Sequence, residues 1–247
     1  MPNVTLISYT GHGHPDPLYA ARLLAYTKNT RLNMTPEGLE SFTKKSPDEI
    51  LQEVAYMATT IPSSWEMVDL IFAVNKISRA TAQQITRTRT ASFAMQSQRV
   101  TDMSDVTWDK KLHDECIFDN AMKEAISNYK YAVKSGAPLE DARDLLPIGV
   151  HCNLIAKYNL RGLVELCRAR DSLRVQGAYR DVCSQMKASV IAVWPWAETF
   201  FEPPNAKAIR MIEDVARQIA EMGGDTGAMY KGLSGTLAKA ADLVKKG

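Results

Sequence analysis

Short segments with strand-like patterns alternate along this chain with longer segments of helical spacing, and this order limits the folds open to it. Met1–Thr10 alternates apolar and polar side chains, which predicts a strand with one buried face. His151–Tyr158 also fits a strand, while Val68–Ile77, rich in apolar and β-branched residues, fits a strand or a buried helix. The order predicts an α+β fold with a modest sheet flanked by long helices. Because no linker or repeat interrupts the pattern, residues 1–247 are expected to form a single domain, with 204–247 as a C-terminal helical extension.

Capping residues mark where several helices begin. Ser46-Pro47-Asp48-Glu49 has the capping-box pattern and predicts a helix that runs to about Thr59. Asp16-Pro17 predicts another helix, through Tyr26, because proline is tolerated in a first helical turn. Apolar spacing predicts further helices over Ser78–Thr86, Lys110–Lys134, Pro138–Leu145, Leu160–Ala169, Arg174–Phe201, Pro204–Gly223 and Thr226–Lys246.

Charge and cysteine content exclude several classes of function. The 247 residues include 30 Lys and Arg against 28 Asp and Glu, a formal net charge of +2, so no global attraction to nucleic acid or acidic membranes is expected. Apolar runs such as Val190–Trp196 are too short to span a bilayer, and the N-terminus lacks the pattern of a secretory signal. The 4 cysteines form no C-x-x-C pair, which is typical of reduced thiols rather than a zinc site. We therefore expect a soluble cytoplasmic protein without a metal site.

Residues Arg87–Arg99 are the most chemically informative stretch of the chain. Arginines and serines stand here among small residues, directly after an amphipathic run that ends near Ile85. The arginine guanidinium is always charged and can bind phosphate or a pyrimidine edge at two points, and serine hydroxyls add bonds to phosphate oxygens. The alternative that composition leaves open is a solvated basic turn.

A second group of arginines lies downstream. Its members are Arg143 within Ala142–Pro147, Arg161 within Asn159–Leu163, then Arg168 and Arg170. On a helix, Arg161 and Glu165 share one face, so an exposed ion pair is one interpretation. The number of arginines beside small or apolar residues favours another, partial burial against an anionic ligand, because a buried arginine without a partner is costly.

Together the two groups resemble the flavin-dependent thymidylate synthase family. That family carries an R-H-R-x(7)-S signature with a glutamine three residues before it. Here Gln84 precedes Arg87-Thr88-Arg89, and Ser97 follows at the family's spacing. The other matches, in the family's order, are Ser78-Arg79, Ala142-Arg143-Asp144-Leu145-Leu146-Pro147, Asn159-Leu160-Arg161-Gly162-Leu163 and Arg170. The resemblance covers about residues 62–195.

The resemblance implies a homotetramer whose active sites form where subunits meet. Each site would hold FAD, a pyrimidine deoxynucleotide monophosphate and methylenetetrahydrofolate as carbon donor, with NADPH as a candidate reductant. Carried over by position, the nucleotide-binding residues are Gln84, Arg87, Gln96, Ser97, Arg99, Arg143 and Arg170, with Arg87 contributed by a neighbouring subunit. The cofactor-binding residues are Arg87, Thr88, Arg89, Asn159, Arg161, Glu165 and Arg174. Arg170 is the catalytic candidate, since in the family this arginine favours the N3-deprotonated base and makes C5 more nucleophilic.

The chain departs from the family at positions near the ligands. Thr88 stands where R-H-R has histidine, and Met67 where an E-H pair has histidine after Glu66. Further differences are Ala94, Glu165, Arg174 and Ala178. One hypothesis is a changed substrate or product. Glu165 could accept a hydrogen bond from the exocyclic amine of cytosine, so the nucleotide is dUMP or dCMP and the product methyl or hydroxymethyl.

Base-modifying variants of this kind suit a phage enzyme in the host cytoplasm. The alternative from another class is a non-catalytic nucleotide-binding paralogue that keeps only the phosphate cradle. A nucleic-acid-binding protein is disfavoured by the near-neutral charge.

Overall fold

The structure, a computed structural model, describes residues 2–28, 35–109, 115–170 and 177–202, together with positions 212, 215 and 237. The strands are β1 (Asn3–Tyr9), β2 (Asp69–Ser78), β3 (Ala91–Met95) and β4 (His151–Asn159). The helices are α1 (Tyr19–Thr27), α2 (Pro36–Thr43), α3 (Pro47–Thr60), α4 (Arg79–Ile85), α5 (Glu115–Lys134), α6 (Leu139–Ala142), α7 (Leu160–Arg170), α8 (Gly177–Val193) and α9 (Glu198–Phe201). Short 3-10 turns lie at Pro62–Met67, Arg143–Leu145 and Pro195–Ala197.

The four strands form one antiparallel sheet in the order β1-β2-β4-β3. One row of side chains crosses it from Thr5 through Ala73 and Ile155 to Ala94. The modest sheet with flanking helices confirms the predicted α+β class. It also resolves the ambiguity over residues 68–77, which form a strand rather than a buried helix.

The two faces of the sheet have different environments. On the inner face Phe72, Val74 and Tyr158 are fully buried. On the outer face Ile7 and Ile155 are 42% and 45% exposed. Because side chains alternate along a strand, this difference follows from the alternating pattern of the sequence.

The predicted caps are present. The Ser46 hydroxyl accepts a hydrogen bond from the Glu49 amide, and the Glu49 carboxylate accepts one from the Ser46 amide, which completes the capping box of α3. The Ser78 hydroxyl accepts from the Thr81 amide and begins α4. This second cap matters for function, since α4 leads directly into the arginine-rich stretch.

Two helix predictions need correction. The single helix predicted over Arg174–Phe201 is wrong: α8 ends at Val193, because Pro195 has no amide hydrogen to donate and displaces the residue before it from helical geometry. The helix predicted to begin at Asp16-Pro17 begins instead at Tyr19, and the Asp16 carboxylate accepts from the Leu18 amide just before it.

Strand β3 is an element that the sequence pattern did not reveal. Residues 87–99 were expected to form a ligand-binding stretch or a solvated basic turn, yet Ala91–Met95 pairs along its length with β4. The small residues of this strand carry no strong strand preference. Its place is decided by pairing with β4, a long-range interaction.

The chain divides into two compact units, Met1–Glu198 and Thr199–Gly247. The first contains the whole sheet and α1 to α8. The predicted C-terminal helical extension, 204–247, lies outside the described residues except for Ile212, Val215 and Leu237, so it stays a prediction. Residues 110–114, the predicted start of the helix over Lys110–Lys134, also lie outside them.

Candidate functional site

Strand register divides the predicted site residues into two clusters. Ala91 pairs with Tyr158, so the turn before β3 lies beside the junction of β4 and α7. Met95 pairs with Leu154, so the residues after β3 lie beside the first half of β4. We call Arg87, Thr88, Arg89, Asn159 and Arg161 the first cluster. The residues at the other end of β3, Ser97 and Arg99 with Arg143, form the second cluster.

In the first cluster, the beginning of α7 is packed closely against the turn. The Asn159 side-chain oxygen accepts a hydrogen bond from the Gly162 amide at 2.8 Å and caps the helix. A Cβ at Gly162 would lie 3.2 Å from that oxygen and 3.3 Å from the Thr90 hydroxyl oxygen. Glycine thus permits a close approach of α7 to the arginine-rich turn. The Asn159 oxygen is engaged in this cap, so the side-chain amide nitrogen is the group of Asn159 that keeps its donor capacity.

Arg161 joins two carboxylates. Its Nε donates to Glu165 Oε1 at 2.8 Å, and another guanidinium nitrogen donates to Glu66 Oε1 at 2.8 Å. The hydrogen bonds that Arg161 donates to Glu165 and Glu66 raise its pKa. The ion pair considered from helical spacing is therefore confirmed, and Glu66, from the 3-10 turn before β2, adds a second partner. The charge of this arginine is largely compensated within the protein.

Arg87 and Arg89 contrast with Arg161. Both are exposed, and neither forms an ion pair with any described residue. The turn that carries them is held by its backbone, since the amides of Arg87 and Thr88 donate to the carbonyls of Gln84 and Ile85. Gln84, in the last turn of α4, is partly buried beside them. Two uncompensated cations on one fixed turn are suited to an anionic ligand.

Thr88, between these arginines, faces a buried polar group. Its side chain lies beside the hydroxyls of Tyr158 and Tyr179, whose side chains are 0% and 1% exposed. Burial raises the pKa of both tyrosines, and the nearby Thr88 hydroxyl opposes the shift. The Arg170 guanidinium carbon lies 5.0 Å from the centre of the Tyr179 ring. The structure thus brings Arg170 and the arginine-rich turn together through Tyr179.

The second cluster borders a cleft of about 390 Å³. Its lining residues are Arg79, Gln83, Gln98, Arg143, Asp144, Leu146, Pro147 and Ile148. The amides of Arg79 and Ala80 donate to the carbonyls of Val150 and Ile148, which joins the start of α4 to the opposite wall. Two arginines therefore line one cleft, and the ion pairs formed among the described residues include neither of them.

Arg79, Gln83 and Gln98 were not assigned to the site from the sequence. The Ser78-Arg79 match had already marked Arg79, and the signal that could have added Gln83 was its separation of four residues from Arg79 on a helix, which places both on one face. Gln98 gave no such signal. Its buried Nε2 makes no hydrogen bond to a described residue, and the residue lines the cleft.

Three other residues that the sequence assigned to nucleotide binding, Ser97, Arg99 and Gln96, already make contacts within the protein. The Ser97 hydroxyl accepts from the Arg99 amide at 3.3 Å, and Arg99 Nε lies 3.9 Å from Glu140 Oε2, with both side chains exposed. Gln96 bonds within the protein: its Oε1 accepts from the Asn153 amide and its Nε2 lies 3.8 Å from the Met103 sulfur. Arg174 lies outside the described residues, and its assignment stays a prediction.

The cysteine beside Arg79 is not placed to act as a nucleophile. Cys152 is 1% exposed, and burial raises the pKa of its thiol although Arg79 opposes the shift. No helix in the described part of the chain has the length and apolar character to cross a membrane.

Comparison with known proteins identifies the family. The family model described as "Thymidylate synthase complementing protein" matches residues 5–196. A flavin-dependent thymidylate synthase from Saccharolobus solfataricus is 28% identical over 207 residues, which cover 79% of this chain and 75% of that protein. One from Geobacter sulfurreducens is 29% identical, with 78% and 83% covered.

A solved structure has the same fold. The crystal structure of a UMP/dUMP methylase from Streptomyces cacaoi, bound with 5-Br dUMP, matches with a TM-score of 0.62 at 18% identity and covers 81% of this chain and 94% of that one. The match of the family model across most of the chain agrees with the motifs at both ends of β3. The chain belongs to the Thymidylate synthase complementing protein family, the flavin-dependent thymidylate synthases.

Proposed function

We propose that this enzyme transfers a one-carbon unit from methylenetetrahydrofolate to C5 of dUMP and reduces it to a methyl group, with FAD as cofactor and NADPH as reductant. The reaction balances when C5 loses its hydrogen as a proton, the methylene carbon gains a hydride, and tetrahydrofolate leaves. Relatives named flavin-dependent thymidylate synthase support this reaction. The methylase of the same fold was solved with a dUMP analogue, which supports the nucleotide.

The observation that carries the proposal is the cleft between α4 and the 143–148 segment. Arg79 and Arg143 line it as uncompensated cations, with Gln98 presenting a buried amide nitrogen. A nucleotide phosphate is the ligand that this donor set suits, because charge-assisted bonds from arginine to phosphate are strong and bidentate. Ser97 and Arg99, at the adjacent end of β3, would complete the phosphate and sugar contacts.

The proposed site needs a second copy of the chain. Arg87 lies before β3 and Ser97 after it, and the five residues of the strand alone separate its two ends by about 14 Å. One nucleotide bound at the cleft of one subunit would therefore receive Arg87 from another. The homotetramer is the assembly that we propose. The exposed outer face of the sheet, with Ile7 and Ile155, offers an apolar surface for contact between copies.

The first cluster fits a flavin dinucleotide. Arg87 and Arg89 are the uncompensated cations that a pyrophosphate requires, and the amide nitrogen of Asn159 can donate to a carbonyl oxygen of the ring. Arg161, already paired with Glu66 and Glu165, would present a guanidinium of fixed orientation. When bound, FAD supplies the electrons that convert the transferred methylene group into a methyl group.

Arg170 is proposed to activate the base. No described carboxylate lies within ion-pair distance of its guanidinium. A full positive charge at the pyrimidine edge would stabilise the N3-deprotonated base and increase the electron density at C5. Activation by charge requires no thiol, in agreement with the burial of Cys152.

The contacts of Glu165 favour uracil over cytosine. The cytosine hypothesis depended on a Glu165 carboxylate directed at an exocyclic amine. In the structure this carboxylate accepts from Arg161 at 2.8 Å, so it contributes to the first cluster instead. We therefore propose dUMP, with methyl as the group that C5 gains.

Mass spectrometry of the products tests the proposal. The protein is incubated with FAD, NADPH and methylenetetrahydrofolate, with dUMP, dCMP or UMP in parallel, and Arg170→Ala serves as the matched inactive control. We expect a methyl gain on dUMP that the control lacks. A gain on dCMP alone would overturn the choice of base. Nucleotide binding without any new mass would favour the non-catalytic paralogue and overturn the proposed reaction.

A further inference from the structure

Buried polar atoms without hydrogen bonds are concentrated around Arg170. The hydroxyls of Tyr158 and Tyr179 and the Nε of Arg170 are all buried, and none makes a hydrogen bond of normal geometry to a described residue. Most buried polar atoms in folded proteins are hydrogen-bonded, so several exceptions in one place indicate a functional constraint. The constraint acts on Arg170, the charged member of the group.

Arg170 contacts the face of an aromatic ring, and its side chain also lies beside the hydroxyl of that ring. Its guanidinium carbon lies 5.0 Å from the centre of the Tyr179 ring, within the range of a cation–π interaction. Arg161, earlier on the same helix, is held by two carboxylates instead. A ring orients a guanidinium but leaves its charge uncompensated, whereas a carboxylate orients and neutralises it. The ring therefore preserves the charge that an anionic base needs.

Tyr179 is itself fixed in place. It is 1% exposed in the first turn of α8, and its hydroxyl lies beside the Thr88 side chain. Thr88 belongs to the turn whose backbone is bonded to the end of α4. The ring is thus held at one end by the core and at the other by the arginine-rich turn.

We propose that Tyr179 is a positioning residue for Arg170, holding the guanidinium on its ring face while Thr88 fixes the hydroxyl end of that ring. The inference rests on the proposed function of Arg170 at the pyrimidine edge. It extends the site to a residue outside the sequence motifs. It also gives Thr88 a role that does not require contact with a ligand.

Two substitutions at Tyr179 of similar size, one that keeps the aromatic ring and one that removes it, test this role. In Tyr179→Phe the ring remains, so kcat with dUMP should stay within about 3-fold of wild type. In Tyr179→Met, which fills similar space without a ring, kcat should fall about 5- to 30-fold while the Kd for dUMP changes less than about 3-fold. Because the missing effect is stabilisation of the deprotonated base, the activity of Tyr179→Met should recover partly as the pH rises from about 7 to about 9.5.

A matched control separates positioning from packing. Tyr129 is also fully buried, and its hydroxyl accepts from the Met103 amide in a different part of the protein. Tyr129→Met should lower thermal stability without the altered pH profile. A kcat in Tyr179→Met equal to wild type, or a loss that no increase in pH relieves, would overturn the inference.

A second series covers the case in which Tyr179→Met does not fold. Phenylalanines with one, two and three ring fluorines at position 179 weaken the cation–π interaction stepwise at nearly constant size. We expect kcat to decrease with each fluorine, and a constant kcat would overturn the inference. Wild-type protein that makes no methylated product would instead refute the proposed function, and a dUMP Kd unaffected by Arg170→Ala would refute both.

Discussion

Ala91 lies opposite Tyr158 in the sheet, and this pairing determines which predicted site residues can act together. Because of this pairing, the Arg87–Arg89 turn lies against Asn159, whereas Ser97 and Arg99 lie beyond the other end of β3. A motif that is continuous in sequence is thereby divided between two locations. The division explains why a complete nucleotide site would need two subunits.

Subunit mixing tests this division. Arg87→Ala and Arg143→Ala should each be nearly inactive alone, because each removes one half of every site. After the two variants are dissociated and reassembled in equal amounts, about a quarter of the sites should combine an intact cleft with an intact Arg87. We expect activity to recover to about that fraction. Recovery should be absent if both residues serve the same subunit's site.

Arg79 should contribute to nucleotide binding, a role that the Ser78-Arg79 match alone does not assign. Loss of a charge-assisted bond to phosphate costs about 1.5 to 3 kcal/mol, so Arg79→Ala should raise the Kd for dUMP about 10- to 150-fold. Arg79→Lys, which keeps the charge, should lose less. Calorimetry measures both variants, with the exposed Lys134→Ala as the control. An unchanged Kd in Arg79→Ala would exclude the cleft as the phosphate site.

Thr88→His, which restores the residue of the family signature, should harm this protein. The histidine ring would have to enter the space beside the buried Tyr158 and Tyr179 hydroxyls. Overpacking of this kind costs about 1 to 3 kcal/mol, and it would also displace the ring under Arg170. The midpoint temperature of thermal unfolding and kcat should both fall, with Thr88→Ser as the control. A gain in activity would show that Thr88 is a lost ligand contact.

Glu165→Gln should leave the preference for dUMP over dCMP unchanged. The carboxylate pairs with Arg161, so its loss should weaken FAD binding through a less fixed guanidinium, with Glu66 still in place. Competition between the two nucleotides, followed by mass spectrometry, measures the preference. A reversal in favour of either base would reinstate Glu165 as a contact to the pyrimidine.

His151 should make the protein less stable in mild acid. Burial lowers the pKa of its ring, an effect that outweighs the opposing influence of Asp109. Below the usual histidine pKa of about 6.5, His151 therefore binds a proton in the unfolded chain but not in the folded protein. The free energy of unfolding decreases as the pH is lowered through that window. Chemical unfolding at pH 7.5 and 5.5 should show a larger loss in wild type than in His151→Gln. The exposed His12→Gln should behave as wild type.

The sequence by itself determined the elements whose signals are local. The capping box at Ser46 and the alternation in β1 and β4 depend only on residues close together in the sequence, and the structure confirms them. The arginine motifs identified the family in the same way, because their spacing along the chain carries the signal.

Tertiary structure alone decided how these parts meet. Strand β3 exists because β4 pairs with it. Helix α8 ends at Val193 because Pro195 has no amide hydrogen to donate, whereas the apolar spacing of the sequence continues past this proline. The cleft at Arg79 and the ring under Arg170 join residues distant in sequence, from helices that pack through long-range contacts. Such contacts depend on register and packing, which are set by the whole fold rather than by any window of sequence.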